Sequence, residues 1–149
     1  MKPTSGDISF EILRLSPGDA AVLDRIAEDV FDEPVRPDRL AAYLAAPGHI
    51  MLVAISGGIV VGQCAAVVHR HPDKVTELYI DEVGVSPAFQ RKGIARAMVE
   101  RMLAIGKELG CGEAWVGTEP DNLPARGLYE RLAVRSGEAE TFIMYVYKL

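Results

Sequence analysis

The chain has 149 residues, 49% of them hydrophobic and 25% charged, with a net charge of −5. That length fits one domain with a core of its own, and the composition is that of an ordinary globular chain. An acidic balance argues against non-specific nucleic-acid binding, and the sequence shows neither an apolar run near 18 residues nor a signal peptide, so no membrane partner is expected and the default location is cytoplasmic.

Residues 1–7 read as a frayed tail. Ile8, Phe10 and Ile12 alternate with Ser9 and Glu11, the pattern of a half-buried strand. Ser16-Pro17-Gly18-Asp19 is a helix start, and Val22, Leu23, Ile26, Ala27 and Val30 follow on one helical face. Two prolines between Phe31 and Pro37 break that helix, and a short second one is expected from Asp38 to Ala46, before Pro47-Gly48. Ile50 to Ile55 and Ile59 to Val68 read as two strands joined by a tight Gly57-Gly58 turn. A third strand spans Glu77 to Val85. A helix from Gly93 to Leu109 carries Ile94, Ala97, Met98, Met102, Ile105 and Leu109 as its core stripe. A strand over Glu113 to Thr118, a helix over Asn122 to Arg131 and a final strand over Phe142 to Tyr147 complete the chain. The expected architecture is a single α/β (α+β) domain, 1–149, around a largely antiparallel sheet. Cys64 and Cys111 form no C-x-x-C and read as packed thiols, while His49, His69 and His71 show no familiar ligand spacing; no metal is expected.

Chemistry concentrates at Gln90-Arg91-Lys92-Gly93-Ile94-Ala95, between a strand and a helix. The first N–H groups of a helix lack intrahelical partners, and the helix dipole adds partial positive charge there. Gly93 lets the backbone approach a ligand closely, and Arg91 and Lys92 add charge at the same corner. A pyrophosphate is the natural guest.

The sequence around this turn resembles the GNAT superfamily of acetyl-CoA-dependent N-acetyltransferases. The resemblance rests on the strand Glu77–Val85 with Ser86-Pro87, the Gln90–Ala95 loop, and Asn122-Leu123-Pro124-Ala125-Arg126-Gly127-Leu128-Tyr129, in the family's order. Ala95 stands where the family often has a second glycine, and Ala133-Val134 where it usually has Gly-Phe. The resemblance implies a twisted sheet whose strands splay beside the coenzyme, and acetyl-CoA as the acyl donor. It implies that the loop from Gln90 through Arg91, Lys92, Gly93 and Ile94 to Ala95 holds the pyrophosphate, that the pantetheine arm pairs with backbone near Val83 and Val85, and that Asn122 hydrogen-bonds that arm. It also makes Tyr129 the acid that meets the departing thiolate, and a homodimer the expected assembly.

An amine arriving as a cation must lose a proton before it attacks a thioester, and a carboxylate can attract it and take that proton. Glu82 is the first candidate and Asp81 its competitor; strict alternation places Leu78, Ile80, Glu82 and Gly84 on one face, with Tyr79, Asp81, Val83 and Val85 on the other. Within the superfamily, Glu77–Val85 looks most like the aminoglycoside 3-N-acetyltransferases, whose polycationic acceptors suit clustered acids. Asp32, Glu33, Asp81, Glu82, Glu119 and Asp121 are the candidates to line such a cleft. Acceptors of another kind (a polyamine, an amino acid, a peptide N-terminus or a lysine) and a non-catalytic acetyl-CoA sensor are the alternative readings.

Overall fold

The computed structural model describes residues 8–132 and 139–149. They fall into two compact units, residues up to 117 and residues from 118 onward.

The first unit is built on a five-stranded sheet in the order β1 (Glu11–Arg14), β2 (His49–Ser56), β3 (Ile59–His69), β4 (Glu77–Val85), β5 (Glu113–Val116). Neighbours are antiparallel from β1 to β4, and β5 joins β4 in parallel. The Gly57-Gly58 turn has φ of 58° and 77°, the doubly left-handed geometry that suits the twist of a two-residue hairpin and favours glycine at both positions. α1 (Pro37–Ala45) and α2 (Ile94–Glu108) agree with their sequence-based bounds to within about a residue at each end.

Each face of the sheet has its own core. Leu23, Val30, Leu40, Met51, Val53 and Ala65 cluster on the α1 side. Leu78 and Ile80 of β4 and Ile94, Met98, Val99, Met102 and Ile105 of α2 are buried on the other. Gly106 lets α2 lie directly on Leu78, whose side chain a Cβ would meet at 2.8 Å. Val99 joins the stripe in place of Leu109, which caps the helix and is exposed. Cys64 is fully buried, and burial, assisted by Asp81, pushes its thiol up to about 12, so it is a neutral packed group as its sequence setting suggests.

Two expected elements differ. The long first helix is a 3-10 segment, Pro17–Asp24, with the Asp19 carboxylate accepting from the Ser16 N–H at 2.8 Å. Beyond it the chain extends and pairs with β3: Val60 N–H donates to Arg25 C=O at 2.9 Å and Ala27 N–H to Val60 C=O at 2.8 Å. Those tertiary bonds replace the helical ones, while Leu23 and Val30 still reach the core. In the second unit, α3 (Leu123–Leu132) forms as expected, but residues 142–147 adopt no strand. Ala133 and Val134 lie outside the described residues, as does the 1–7 tail.

Candidate active site

β4 determines the site because it breaks its own alternation. Ile80 pairs with Ala66 and Glu82 with the adjacent Ala65, leaving Asp81 as the extra residue of a β-bulge. Strict alternation therefore fails at this point. Leu78 and Ile80 face α2, whereas Glu82 is turned to the α1 side with Ala65. The bulge places Asp81 and Glu82 on one cleft, not on opposite faces as a regular strand would.

That cleft has a volume of about 440 Å³. Its floor is Met51, Ala65, Asp81 and Glu82; its walls are the Phe31–Arg36 segment and the Arg39, Leu40 and Tyr43 face of α1. Of the six acids expected to line an acceptor cleft, Asp32, Glu33, Asp81 and Glu82 meet here. Glu119 and Asp121 belong to the second unit.

Glu82 is half-buried, and its carboxyl is held above the usual carboxylate range, first by burial and then by the charges of Asp32 and Asp81. The Gln63 amide offsets part of that rise by hydrogen bonding to it. Gln63 is fully buried on β3, and its Nε2 also approaches Val30 C=O at 3.4 Å. Gly84 makes room for the same carbonyl, because a Cβ there would overlap the Val30 oxygen. Tyr43 donates its hydroxyl to Ile50 C=O at 2.7 Å, and burial together with the Asp81 charge raises its pKa. Gln63, Arg36 and Arg39 were not among the expected site residues. A glutamine inside an apolar strand was a signal that could have found the first, since a buried amide needs partners; the two arginines carry no such mark.

The expected coenzyme residues lie along the other end of β4. β5 accompanies β4 only from Glu77 to Ile80, so within the first unit β4 loses its outer neighbour at the bulge. Val83 and Val85 continue to pair with β3, through Cys64 and Gly62. Gln90 returns its side-chain amide to Val85 C=O at 3.1 Å and so ties the following turn to the strand. Arg91 has φ of 60° and Gly93 φ of 81°, a sharp left-handed entry into α2. An added Cβ on Gly93 would meet nothing within 4 Å, so the space above this backbone is open. Lys92 and Ala95 flank it. The Ile94 side chain is core, which leaves only its backbone to face a ligand. In the second unit Asn122 caps α3, its Oδ1 accepting from Ala125 N–H at 3.2 Å, and Tyr129 lies two turns along the same helix.

A strand parted from its neighbour, a carboxylate cleft at the point of parting and a left-handed turn opening a 15-residue helix are the arrangement of an acetyltransferase-type domain. Residues 20–133 match the model of the acetyltransferase (GNAT) family, and the chain belongs to that family. An uncharacterised N-acetyltransferase from Mycobacterium tuberculosis is 28% identical over 104 residues, which are 70% of this chain and 64% of that protein. The chain thus matches a little under two thirds of this relative. An aminoglycoside acetyltransferase from an uncultured soil metagenomic sample is 26% identical, with a TM-score of 0.73 over 94% of this chain and all of that one. The aminoglycoside N-acetyltransferase AAC(6')-Iy, solved in complex with CoA, shares the fold at 19% identity, with a TM-score of 0.69 over 93% of this chain and all of that one.

Proposed function

We propose that the protein transfers an acetyl group from acetyl-CoA to a primary amine of a small cationic acceptor, an aminoglycoside before others. The observation that carries this reading is the bulge at Asp81, where β4 leaves β5 and brings two carboxylates into one cleft.

The residues present suit the donor. The edge of β4 around Val83 and Val85, which β5 leaves unpaired, offers main-chain groups for the amides of a pantetheine arm, which would add to the sheet like a short strand. The Arg91–Ala95 turn offers backbone N–H groups at the positive end of α2, with the Arg91 and Lys92 charges beside them, for a pyrophosphate. Replacing Gly93 by alanine is expected to raise the KM for acetyl-CoA about tenfold while leaving kcat within about threefold, because a left-handed residue with a Cβ costs roughly 1–2 kcal/mol. Initial-rate kinetics against acetyl-CoA concentration measures this. An unchanged KM would remove the turn from the donor site.

In the proposed reaction Glu82 attracts the ammonium and accepts its proton. The amine nitrogen bonds to the thioester carbon, the oxyanion collapses and the C–S bond breaks; the thiolate takes a proton from an acid, and the second proton of the amine nitrogen leaves to restore that acid, directly or through solvent. Tyr129 is the proposed acid and Asn122 a proposed pantetheine partner, both on the strength of the resemblance. Asp32, Glu33 and Asp81 supply further negative charge for a polycation. The named activity of the soil relative favours an aminoglycoside. The resemblance of β4 points to the 3-amino group, whereas the name of the CoA-bound neighbour points to the 6′ position, so the regiochemistry is part of the test.

The test is thiol release from acetyl-CoA across gentamicin, spermidine, lysine and short peptides, with product mapping by NMR. Turnover on gentamicin supports the aminoglycoside reading, and the acetylated position assigns the 3-amino group or another. Turnover confined to another amine keeps the chemistry and discards that acceptor. No transfer to any amine, with tight CoA binding, overturns catalysis in favour of a sensor.

A further inference from the structure

The β3–β4 hairpin ends in a group of side chains that acetyl transfer does not use. His69 closes β3 and pairs across the hairpin with Glu77, the first residue of β4. His71 lies two residues beyond His69, and the two imidazoles sit 4.3 Å apart, tilted by 41°. His71 Nε2 is 3.3 Å from a Glu77 carboxylate oxygen and is closed off from solvent. One donor atom from each of His69, His71 and Glu77 lies within 4.8 Å of the other two, and no other group of three potential ligands among the described residues does so.

We propose that His69, His71 and Glu77 form a binding site for a divalent transition metal of the zinc type. Ligands about 2.1 Å from a tetrahedral zinc stand roughly 3.4 Å from each other. The His71–Glu77 separation already has that length, and a modest turn of the exposed His69 ring brings in the third ligand. Two imidazoles and one carboxylate suit zinc better than calcium or magnesium, which prefer all-oxygen sites. Trp115, stacked on Tyr79 with ring centroids 3.9 Å apart, stands close enough for its indole N–H to hold the Glu77 carboxylate, the kind of outer support that orients metal ligands. Histidine spacing alone did not show this site, because its third ligand comes from cross-strand pairing. Glu77 and Glu82 are five residues apart on β4, roughly 16 Å along a strand, so the metal fastens the hairpin and takes no part in acetyl transfer.

The test is isothermal titration of the full chain with zinc chloride, after treatment with EDTA, and thermal unfolding with and without zinc. The comparison is with the double variant His69→Gln and His71→Gln, and separately with Glu77→Gln, each checked for native circular dichroism. One zinc is expected to bind per wild-type chain, and excess zinc is expected to raise Tm by about 5 °C. The double variant is expected to lose both effects, and Glu77→Gln to weaken binding at least tenfold. Absence of stoichiometric binding by the wild type overturns the proposal, as does equal binding by the double variant. The outcome is independent of whether the chain acetylates any amine.

Discussion

Glu82→Gln is expected to lower acetyl transfer by about 10²–10⁴-fold, the usual contribution of a positioned general base, and to raise thermal stability at pH 8. Both effects follow from one cause. Burial and the neighbouring Asp32 and Asp81 charges oppose ionisation of Glu82, so its folded-state pKa stands above its unfolded value. Its contribution to stability is therefore fully present below the unfolded carboxylate pKa and is lost as pH rises through the folded one. At pH 8 the wild type carries that cost and the glutamine does not; as pH falls below the unfolded carboxylate pKa, Glu82 is protonated in both states and the difference in Tm should shrink. The acid limb of wild-type kcat/KM should lie above the ordinary carboxylate range for the same reason. Parallel kinetics of Asp81→Asn separate the two carboxylates of the bulge. If Glu82→Gln keeps wild-type turnover while Asp81→Asn loses it, the base is Asp81.

The largest effect on stability is expected at Gly84. Its φ is not in the left-handed region, so the constraint is close approach. The Val30 carbonyl sits directly over its Cα, held there by the Gln63 amide at 3.4 Å. A methyl group must push the Val30 carbonyl away from β4 or bend the strand, at a cost of roughly 3 kcal/mol. For a chain of this size that is a drop in Tm of about 10 °C. Gly18→Ala is the control: it meets no atom within 4 Å, has no positive φ and should be nearly neutral. Because Phe31 and Asp32 follow Val30 into the cleft wall, Gly84→Ala should also raise the acceptor KM more than the acetyl-CoA KM. Tm equal to that of Gly18→Ala would show that the segment yields freely and does not shape the cleft.

Much of the fold was legible because local signals and tertiary demands agreed. The short, nearly continuous apolar runs of β2 and β3, the double glycine between them and the i, i+3, i+4 stripe of α2 each specify one structure and need no distant partner to do so. The Gln90–Ala95 turn was legible for the same reason, since a left-handed glycine before a helix is a local requirement with a recognisable residue. The first helix was misread where those levels conflicted. Leu23 and Val30 do pack in the core, but the backbone from Arg25 to Ala27 bonds to Val60, and no helical periodicity records a competing strand.

Sequence by itself determined that β4 is a strand, that it carries adjacent carboxylates and that a glycine-bearing turn into a helix follows it. Only the tertiary structure decided where those carboxylates point. Asp81 is the extra residue opposite β3, and a bulge arises from the pairing of two strands, so alternation within one strand could not reveal it. The same holds for the Gln63–Val30 contact, 33 residues apart, and for the pairing of His69 with Glu77. Residue types and their spacing set which chemistry is available, whereas register and close approach set which groups share a site.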